Sequence, residues 1–163
     1  MVIFLSRSVS RRRWVVALVA VLLCFLLVRA DAREPIALSV PTRDGARLAA
    51  DLYSPDPSRP LPVILIQTPY NKNRMAAQFA DQQGGSVLFA SEDYAFLVVD
   101  WRGRFGSRAA QGPSVGINGL DGYDTVEWAA TQPWCNGKIG TWGPSALGVA
   151  QYRTAATQPP HLV

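Results

Sequence analysis

The run Val63-Ile64-Leu65-Ile66 decides the fold class, because a continuous apolar stretch rich in β-branched side chains is typical of a strand buried on both faces of a parallel sheet. Phe96-Leu97-Val98-Val99 is a second run of the same kind. A helix is predicted after each of them, over residues 75–83 and 121–132. Strands that alternate with helices indicate an α/β protein with a mostly parallel sheet and helices on both faces.

The segments on either side extend this pattern. Residues 138–142 form a short third inner strand in this prediction, and residues 146–157 have the Ala, Leu and Gln content of a helix. Upstream, the short apolar segments 36–40 and 48–53 flank the turn Thr42-Arg43-Asp44-Gly45. Since Asp-Gly is a strong hairpin signal, the sheet is expected to begin with an antiparallel hairpin.

The first 32 residues have the pattern of a secretory signal peptide. Arg11, Arg12 and Arg13 precede fifteen consecutive apolar residues, 14–28, and the small-residue triplet Ala30-Asp31-Ala32 follows. This predicts export to the periplasm or the extracellular space, with residues 33–163 as the exported part. Any contact with the membrane is then a passing one, made through the signal peptide.

Alternatives remain for this leader. An uncleaved membrane anchor is disfavoured because fifteen apolar residues fall short of the roughly 20 that a spanning helix needs. Lipidation at Cys24 is disfavoured because bulky Leu23 precedes it. The arginine run also resembles a twin-arginine signal, so the export route stays open.

Charge and cysteine content exclude some function classes. Outside the leader, residues 33–163 carry 11 basic and 11 acidic side chains and therefore have no net charge. A surface that binds nucleic acid needs an excess of Lys and Arg, so no nucleic-acid partner is expected. Only Cys135 remains after the leader, and no Cys/His spacing suits a metal. No cofactor or metal is predicted.

A serine lies at a strand-to-helix corner. In Gly143-Pro144-Ser145-Ala146-Leu147-Gly148, Ser145 falls between the last predicted strand and the helix that follows it. Such a corner lifts a nucleophilic hydroxyl above the sheet and directs helix N–H groups at developing negative charge. The second glycine comes one residue later than in the usual G-x-S-x-G pattern. A serine helix cap after a Gly-Pro turn explains the same residues equally well.

The wider chain resembles the X-prolyl dipeptidyl-peptidase and cocaine esterase family of α/β-hydrolases, from about Ile36 onward. Six sequence blocks in the family's order carry the resemblance, and the late glycine belongs to the family's own pattern. The blocks are Val40-Pro41-Thr42-Arg43-Asp44-Gly45 with 48–53, Thr68-Pro69-Tyr70-Asn71-Lys72, Asp100-Trp101-Arg102-Gly103-Arg104, Asp121-Gly122-Tyr123-Asp124-Thr125-Val126-Glu127-Trp128, Gln132-Pro133-Trp134-Cys135-Asn136-Gly137-Lys138 and Gly143-Pro144-Ser145 to Gly148.

The resemblance implies an exported serine hydrolase that forms an acyl-enzyme on Ser145, with residues 33–163 as the N-terminal part of its α/β-hydrolase catalytic domain. It also implies an oxyanion hole made by the hydroxyl of Tyr70 and the backbone N–H of Ala146. The substrate would be a small ester or a short X-prolyl peptide. Two positions depart from the family's pattern. Ala146 replaces a common aromatic residue beside the nucleophile, which leaves the substrate undefined. Phe105 replaces a usual glycine, which is expected to stiffen or reshape its turn.

Other polar residues have structural explanations. Asp121, Asp124 and Glu127 fit the acidic start of a helix. Asp100 and Arg102 fit a structural ion pair or loop hydrogen bonds, and Cys135 fits a semi-buried structural thiol.

The acid and base of a catalytic triad are not found in the sequence. In α/β-hydrolases they follow the serine, whereas only 18 residues follow Ser145, and these contain no Asp or Glu. The one histidine, His161, is expected to lie away from the serine and to have no role. We therefore expect an N-terminal fragment that is inactive alone. The alternative is a non-catalytic exported remnant with a binding role or none.

Overall fold

The computed structural model describes residues 33–75, 89–112 and 119–163. The predicted signal peptide, 1–32, lies outside the described residues. Of the helix predicted over 75–83, only Met75 is described, and it belongs to a helical segment that includes residues 72–75. Within the described ranges, no helix is both long and apolar enough to cross a bilayer.

The sheet begins with the hairpin that the Asp-Gly pair predicts. Strands β1 (Ile36–Pro41) and β2 (Arg47–Tyr53) are antiparallel, and Val40 lies opposite Leu48. In the turn, Gly45 has φ +81°, a conformation that glycine adopts without steric cost.

Three parallel strands form the centre and one side of the sheet. They are β3 (Leu61–Thr68), β4 (Ala95–Asp100) and β5 (Cys135–Thr141), and the strand order is β1-β2-β4-β3-β5. β2 pairs with β4 in the antiparallel sense, which joins the hairpin to the parallel strands. The α/β class with a mostly parallel sheet is therefore confirmed.

The last strand corrects one prediction. β5 starts at Cys135 rather than at residue 138, and it lies outside β3 rather than in the interior of the sheet. Among the described residues, only Leu162 bridges to its outer side, at Ile139. The early start follows from pairing with β3, which begins opposite Cys135. Pairing between distant segments overrides the weak strand propensity of Asn136 and Gly137.

Alternation along β3 divides the core into two clusters, as expected for a strand with two buried faces. Leu61, Val63 and Leu65 belong to one cluster, and Ile66 belongs to the other. Helix α1 (Gly119–Ala130) contributes Val126 and Ala129 to the first cluster. Met75 and Phe89 belong to the second cluster, so segments of the chain cover both faces.

Helix α2 (Ala146–Ala155) follows β5 after a four-residue corner, and it contacts α1 through two glycines. A Cβ atom at Gly122 would lie 1.9 Å from Oγ1 of Thr154, and one at Gly119 would lie 2.5 Å from the carbonyl oxygen of Arg153. The helices therefore approach more closely than any larger side chain at these two positions would permit.

Candidate active site

Ser145 occupies the corner between β5 and α2 in an uncommon backbone conformation. Its φ is +55° and its ψ is −124°, a region that residues with a side chain rarely adopt. The residue is exposed, and its hydroxyl makes no capping hydrogen bond to α2. The helix-cap explanation therefore does not account for this serine. Conformations of this kind cluster at functional sites.

Two glycines permit the tight corner. Gly143 has φ +133°, and a Cβ atom there would lie 2.5 Å from Cβ of Leu147. A Cβ atom at Gly148 would lie 3.3 Å from the carbonyl oxygen of Gly143. Because the end of β5 and the start of α2 approach so closely, a larger side chain at either glycine would push the corner open.

The start of α2 presents a backbone donor beside the serine. Leu147 N–H donates to the carbonyl oxygen of Pro144 at 3.1 Å, and Val149 N–H donates to that of Ser145 at 3.0 Å. Across the part of the chain that the structure describes, no group accepts the N–H of Ala146. This donor lies in the first turn of the helix, where the helix dipole favours negative charge.

Tyr70 belongs to a loop that follows β3 and is fixed at several points. Its N–H donates to Oγ1 of Thr68 at 2.9 Å, and Thr68 is fully buried. Asn71 has φ +80°, which turns the chain sharply, and the N–H of Lys72 donates to Oδ1 of Asp100 at 2.8 Å. The tyrosine side chain is 44% exposed, so its hydroxyl-bearing ring is accessible on a fixed backbone.

Asp100 joins two loops at the carboxyl edge of the sheet. Its carboxylate accepts the N–H of Lys72 at Oδ1 and that of Gly106 at Oδ2, the latter at 3.0 Å. Burial raises the pKa of Asp100, and the two backbone N–H groups counteract that shift. Lys72 itself pairs with Asp51 at 2.7 Å. The sequence predicted a structural role for Asp100 but did not indicate that it anchors the loop of Tyr70.

The two predicted site loops leave neighbouring strands at the same edge. β3 and β5 are parallel partners, and Trp142 N–H donates to the carbonyl oxygen of Leu65 at 3.2 Å. The loop of Tyr70 follows β3, and the corner of Ser145 follows β5. Neighbouring strands lie about 4.8 Å apart, and open α/β sheets bind ligands at the carboxyl ends of their strands.

Phe105 lies in the left-handed backbone region, which favours glycine. Its φ is +37°, and it opens a short 3₁₀ helix, Phe105–Ser107, after β4. The ring is 43% exposed. The loop is held through Ser107, whose hydroxyl donates to the carbonyl oxygen of Asp100 and accepts the N–H of Ala49.

Arg102 is a buried cation that pairs with one buried and one exposed carboxylate. It is 2% exposed and pairs with Asp121 at 2.6 Å and with Asp44 at 2.9 Å. A hydrogen bond from Thr42, and then those from Arg102, lower the pKa of Asp44 to about 2. These contacts join the hairpin turn to the start of α1, so the prediction of a structural role for Arg102 is confirmed.

The three acids of α1 do not form one cluster. Asp121 lies in the first turn, as predicted, and pairs with Arg102. Asp124 pairs instead with Arg43 at 2.7 Å, and Glu127 lies further along the helix. The prediction that all three acids lie at the start of the helix was therefore wrong for Asp124 and Glu127. Across the described ranges, no group of three or more His, Cys, Asp or Glu residues could hold a metal ion.

His161 is held by Glu127 beside β5. Its Nδ1 lies 2.8 Å from Oε2 of Glu127, and its carbonyl oxygen accepts the N–H of Ile139. The absence of a catalytic role stays a prediction. Cys135 is buried rather than semi-buried as predicted, and burial raises the pKa of its thiol.

Comparison with known proteins supports one family. Residues 44–163 match the family described as X-Pro dipeptidyl-peptidase (S15 family). Cocaine esterase from Rhodococcus sp. (strain MB1 Bresler) is 41% identical over 118 residues, which are 72% of this chain and 20% of that protein. The chain thus spans about a fifth of the length of this curated relative.

Solved structures agree with this assignment. A CocE/NonD family hydrolase from Staphylococcus aureus is 28% identical, with a TM-score of 0.61 over 77% of this chain and 25% of that chain. An α-amino acid ester hydrolase shares the fold at 22% identity, with a TM-score of 0.64 over 83% of this chain and 25% of that chain. The chain belongs to the X-Pro dipeptidyl-peptidase (S15) family of α/β-hydrolases.

Proposed function

We propose that this chain supplies the nucleophile and the oxyanion hole of an exported serine hydrolase. The observation that carries the proposal is Ser145, which is exposed in a strained conformation and whose hydroxyl does not cap the helix. A serine held in this way without a structural hydrogen bond is available for chemistry at its Oγ atom. Tyr70 and the N–H of Ala146 supply donors from two segments at the same sheet edge.

The reaction proceeds through an acyl-enzyme. A general base removes the proton of Ser145 as its Oγ attacks the carbonyl carbon of the substrate. The resulting oxyanion accepts hydrogen bonds from the Tyr70 hydroxyl and the Ala146 N–H. The C–O or C–N bond then breaks, and the leaving group takes the proton from the base. Water hydrolyses the acyl-enzyme by the same steps and releases the acid and the free serine.

The acid and base of the triad come from polypeptide outside these 163 residues. The family order is serine, then Asp or Glu, then His, and His161 is already paired with Glu127. Because an unactivated serine is a weak nucleophile, the 163-residue chain by itself is expected to have no useful turnover. Ester hydrolysis by purified residues 33–163 that Ser145→Ala abolishes would contradict this.

The substrate is a small ester or a short X-prolyl peptide, the two bond types that the family names indicate. The full-length native protein is tested with 4-nitrophenyl butyrate and with glycyl-prolyl-4-nitroanilide. Ser145→Ala is expected to lower kcat by roughly 10⁶-fold, the size of loss seen when an acylated serine is removed. Exposed Ser58 serves as the control, since Ser58→Ala should leave both rates unchanged. Equal rates in both variants would refute the proposal.

A second candidate is the non-catalytic exported remnant, which is favoured by the pairing of His161 with Glu127 rather than with Ser145. An antibody against residues 33–163 applied to cell extract and culture medium separates the two. A band several-fold larger than 17.7 kDa supports the hydrolase, and its presence in the medium supports export. A band at or just below that mass favours the remnant.

A further inference from the structure

We propose that Gln151 is a positioning residue that holds the corner of Ser145 in its reactive conformation, an inference that rests on the proposed function. Gln151 lies in the second turn of α2. Its Nε2 donates to the carbonyl oxygen of Gly143 at 2.7 Å, and its Oε1 accepts the hydroxyl of Thr141 at 3.1 Å. One amide thus joins the end of β5, the corner and the helix.

The contact with Gly143 completes the hydrogen bonding of the corner. Three consecutive carbonyl groups, those of Gly143, Pro144 and Ser145, precede the helix. Backbone N–H groups of α2 bind the carbonyl oxygens of Pro144 and Ser145. For the carbonyl oxygen of Gly143, the hydrogen-bond donor among the described residues is the side chain of Gln151. The helix backbone therefore fixes two carbonyls of the corner, and this side chain fixes the third.

The corner needs such a restraint because two of its residues have positive φ. Gly143 is at +133° and Ser145 at +55°. Strained conformations persist only where the surroundings over-determine them. Without the Gln151 contact, the Gly143 carbonyl loses its donor and the backbone is less restrained at ψ of Gly143, since the proline ring already fixes φ of Pro144. Ser145 can then relax toward an ordinary conformation. Its Oγ would then leave the position that the corner now gives it.

The Gln151 amide meets two different demands, because it offers both a donor and an acceptor. The Gly143 carbonyl requires a donor, whereas the Thr141 hydroxyl requires an acceptor. In Gln151→Glu, a carboxylate faces the Gly143 carbonyl oxygen and repels it, although it can still accept from Thr141. Gln151→Leu removes both contacts at nearly constant size. Both variants should therefore disturb Ser145, and the Glu variant isolates the Gly143 contact.

Gln132 provides a matched control. It is half-buried like Gln151, and its Nε2 also donates to a backbone carbonyl, that of Trp128, at 2.9 Å. It lies between α1 and β5, before the first residue of β5, whereas Ser145 follows the last residue of β5. The two residues therefore lie at opposite ends of this strand. Gln132→Leu removes a comparable hydrogen bond without touching the corner. Any effect due only to a general loss of stability should appear equally in this variant.

The test measures the second-order rate of Ser145 with a fluorophosphonate in the full-length native protein. It also measures the backbone amide NMR shifts of residues 141–143 and 145–147, because Pro144 has no N–H. We expect Gln151→Leu and Gln151→Glu to slow labelling by roughly 10- to 100-fold, the loss that a displacement of about 1 Å causes. Gln132→Leu should label at the wild-type rate. The kinetic loss should fall on kcat rather than KM, because substrate binding is not altered.

The outcomes separate the two proposals. If the wild type labels and the Gln151 variants label equally fast, the positioning role is overturned. If the wild type does not label, the proposed function fails, and the NMR shifts decide the role of Gln151 by themselves. Shift changes at Gly143, Ser145 and Ala146 in the Gln151 variants but not in Gln132→Leu support it, and unchanged shifts overturn it.

Discussion

Gly143→Ala tests directly whether the corner is as tight as the structure indicates. The new side chain would have to adopt φ +133°, which costs about 1–3 kcal/mol for a residue with a Cβ atom. Its Cβ would also lie 2.5 Å from Cβ and 2.6 Å from Cδ2 of Leu147. Overpacking of this kind costs about another 1–3 kcal/mol. The free energy of unfolding should therefore fall by about 2–6 kcal/mol, a large share of a typical 5–15 kcal/mol.

Gly45→Ala is the matched control, because Gly45 also has a positive φ, +81°, but nothing lies within 4 Å of a Cβ atom there. Gly45→Ala should therefore lose only the free energy that corresponds to the backbone strain. Urea unfolding followed by tryptophan fluorescence measures both variants. The steric reasoning is refuted if Gly143→Ala costs no more than Gly45→Ala. It is also refuted if the fluorophosphonate rate of Ser145 is unchanged in a folded Gly143→Ala protein.

Three further predictions concern the pH dependence, the oxyanion hole and the helix contact. Folding lowers the pKa of Asp44 from 3.8 to about 2. The stability that ionised Asp44 contributes is therefore present above pH 4 and is lost as the pH falls toward 2. The melting temperature of Asp44→Asn should vary less between pH 4 and pH 2 than that of the wild type. Tyr70→Phe should lower kcat roughly 100- to 1000-fold without loss of stability. Tyr94→Phe, a residue with the same 44% exposure, should change neither kcat nor stability. An unaltered kcat in Tyr70→Phe would exclude the Tyr70 hydroxyl from the oxyanion hole. Gly122→Ala should lower the free energy of unfolding by about 1–3 kcal/mol, because the new Cβ would overlap Oγ1 of Thr154. A urea midpoint equal to that of the wild type would contradict the close contact between the two helices.

Much of the fold could be predicted because its signals are local. The Asp-Gly pair indicated the hairpin, and the apolar runs indicated β3 and β4, which extend only one or two residues further than predicted at each end. The strand order could not be predicted, since the insertion of β4 between β2 and β3 depends on pairing between distant segments. The extent of β5 was missed for the same reason.

The candidate site, like the fold, could be predicted only in part. The strand-to-helix motif indicated Ser145, and the resemblance to the family implied Tyr70 and Ala146; these roles stay predictions. The supporting contacts were not visible in the sequence. Nothing in the spacing of Gln151 shows that its amide reaches back to Gly143, and nothing around Asp100 shows that it binds the N–H groups of two loops. Such contacts depend on backbone positions that only the folded chain defines.

The most direct test of the account is to treat the full-length native protein with a fluorophosphonate and to locate the adduct by mass spectrometry of the digested protein. The account predicts one rapidly labelled residue, Ser145, and loss of that adduct in Ser145→Ala but not in Ser58→Ala. Rapid labelling at a different serine, or no labelling of a folded protein, would contradict the claim that the β5–α2 corner carries the nucleophile.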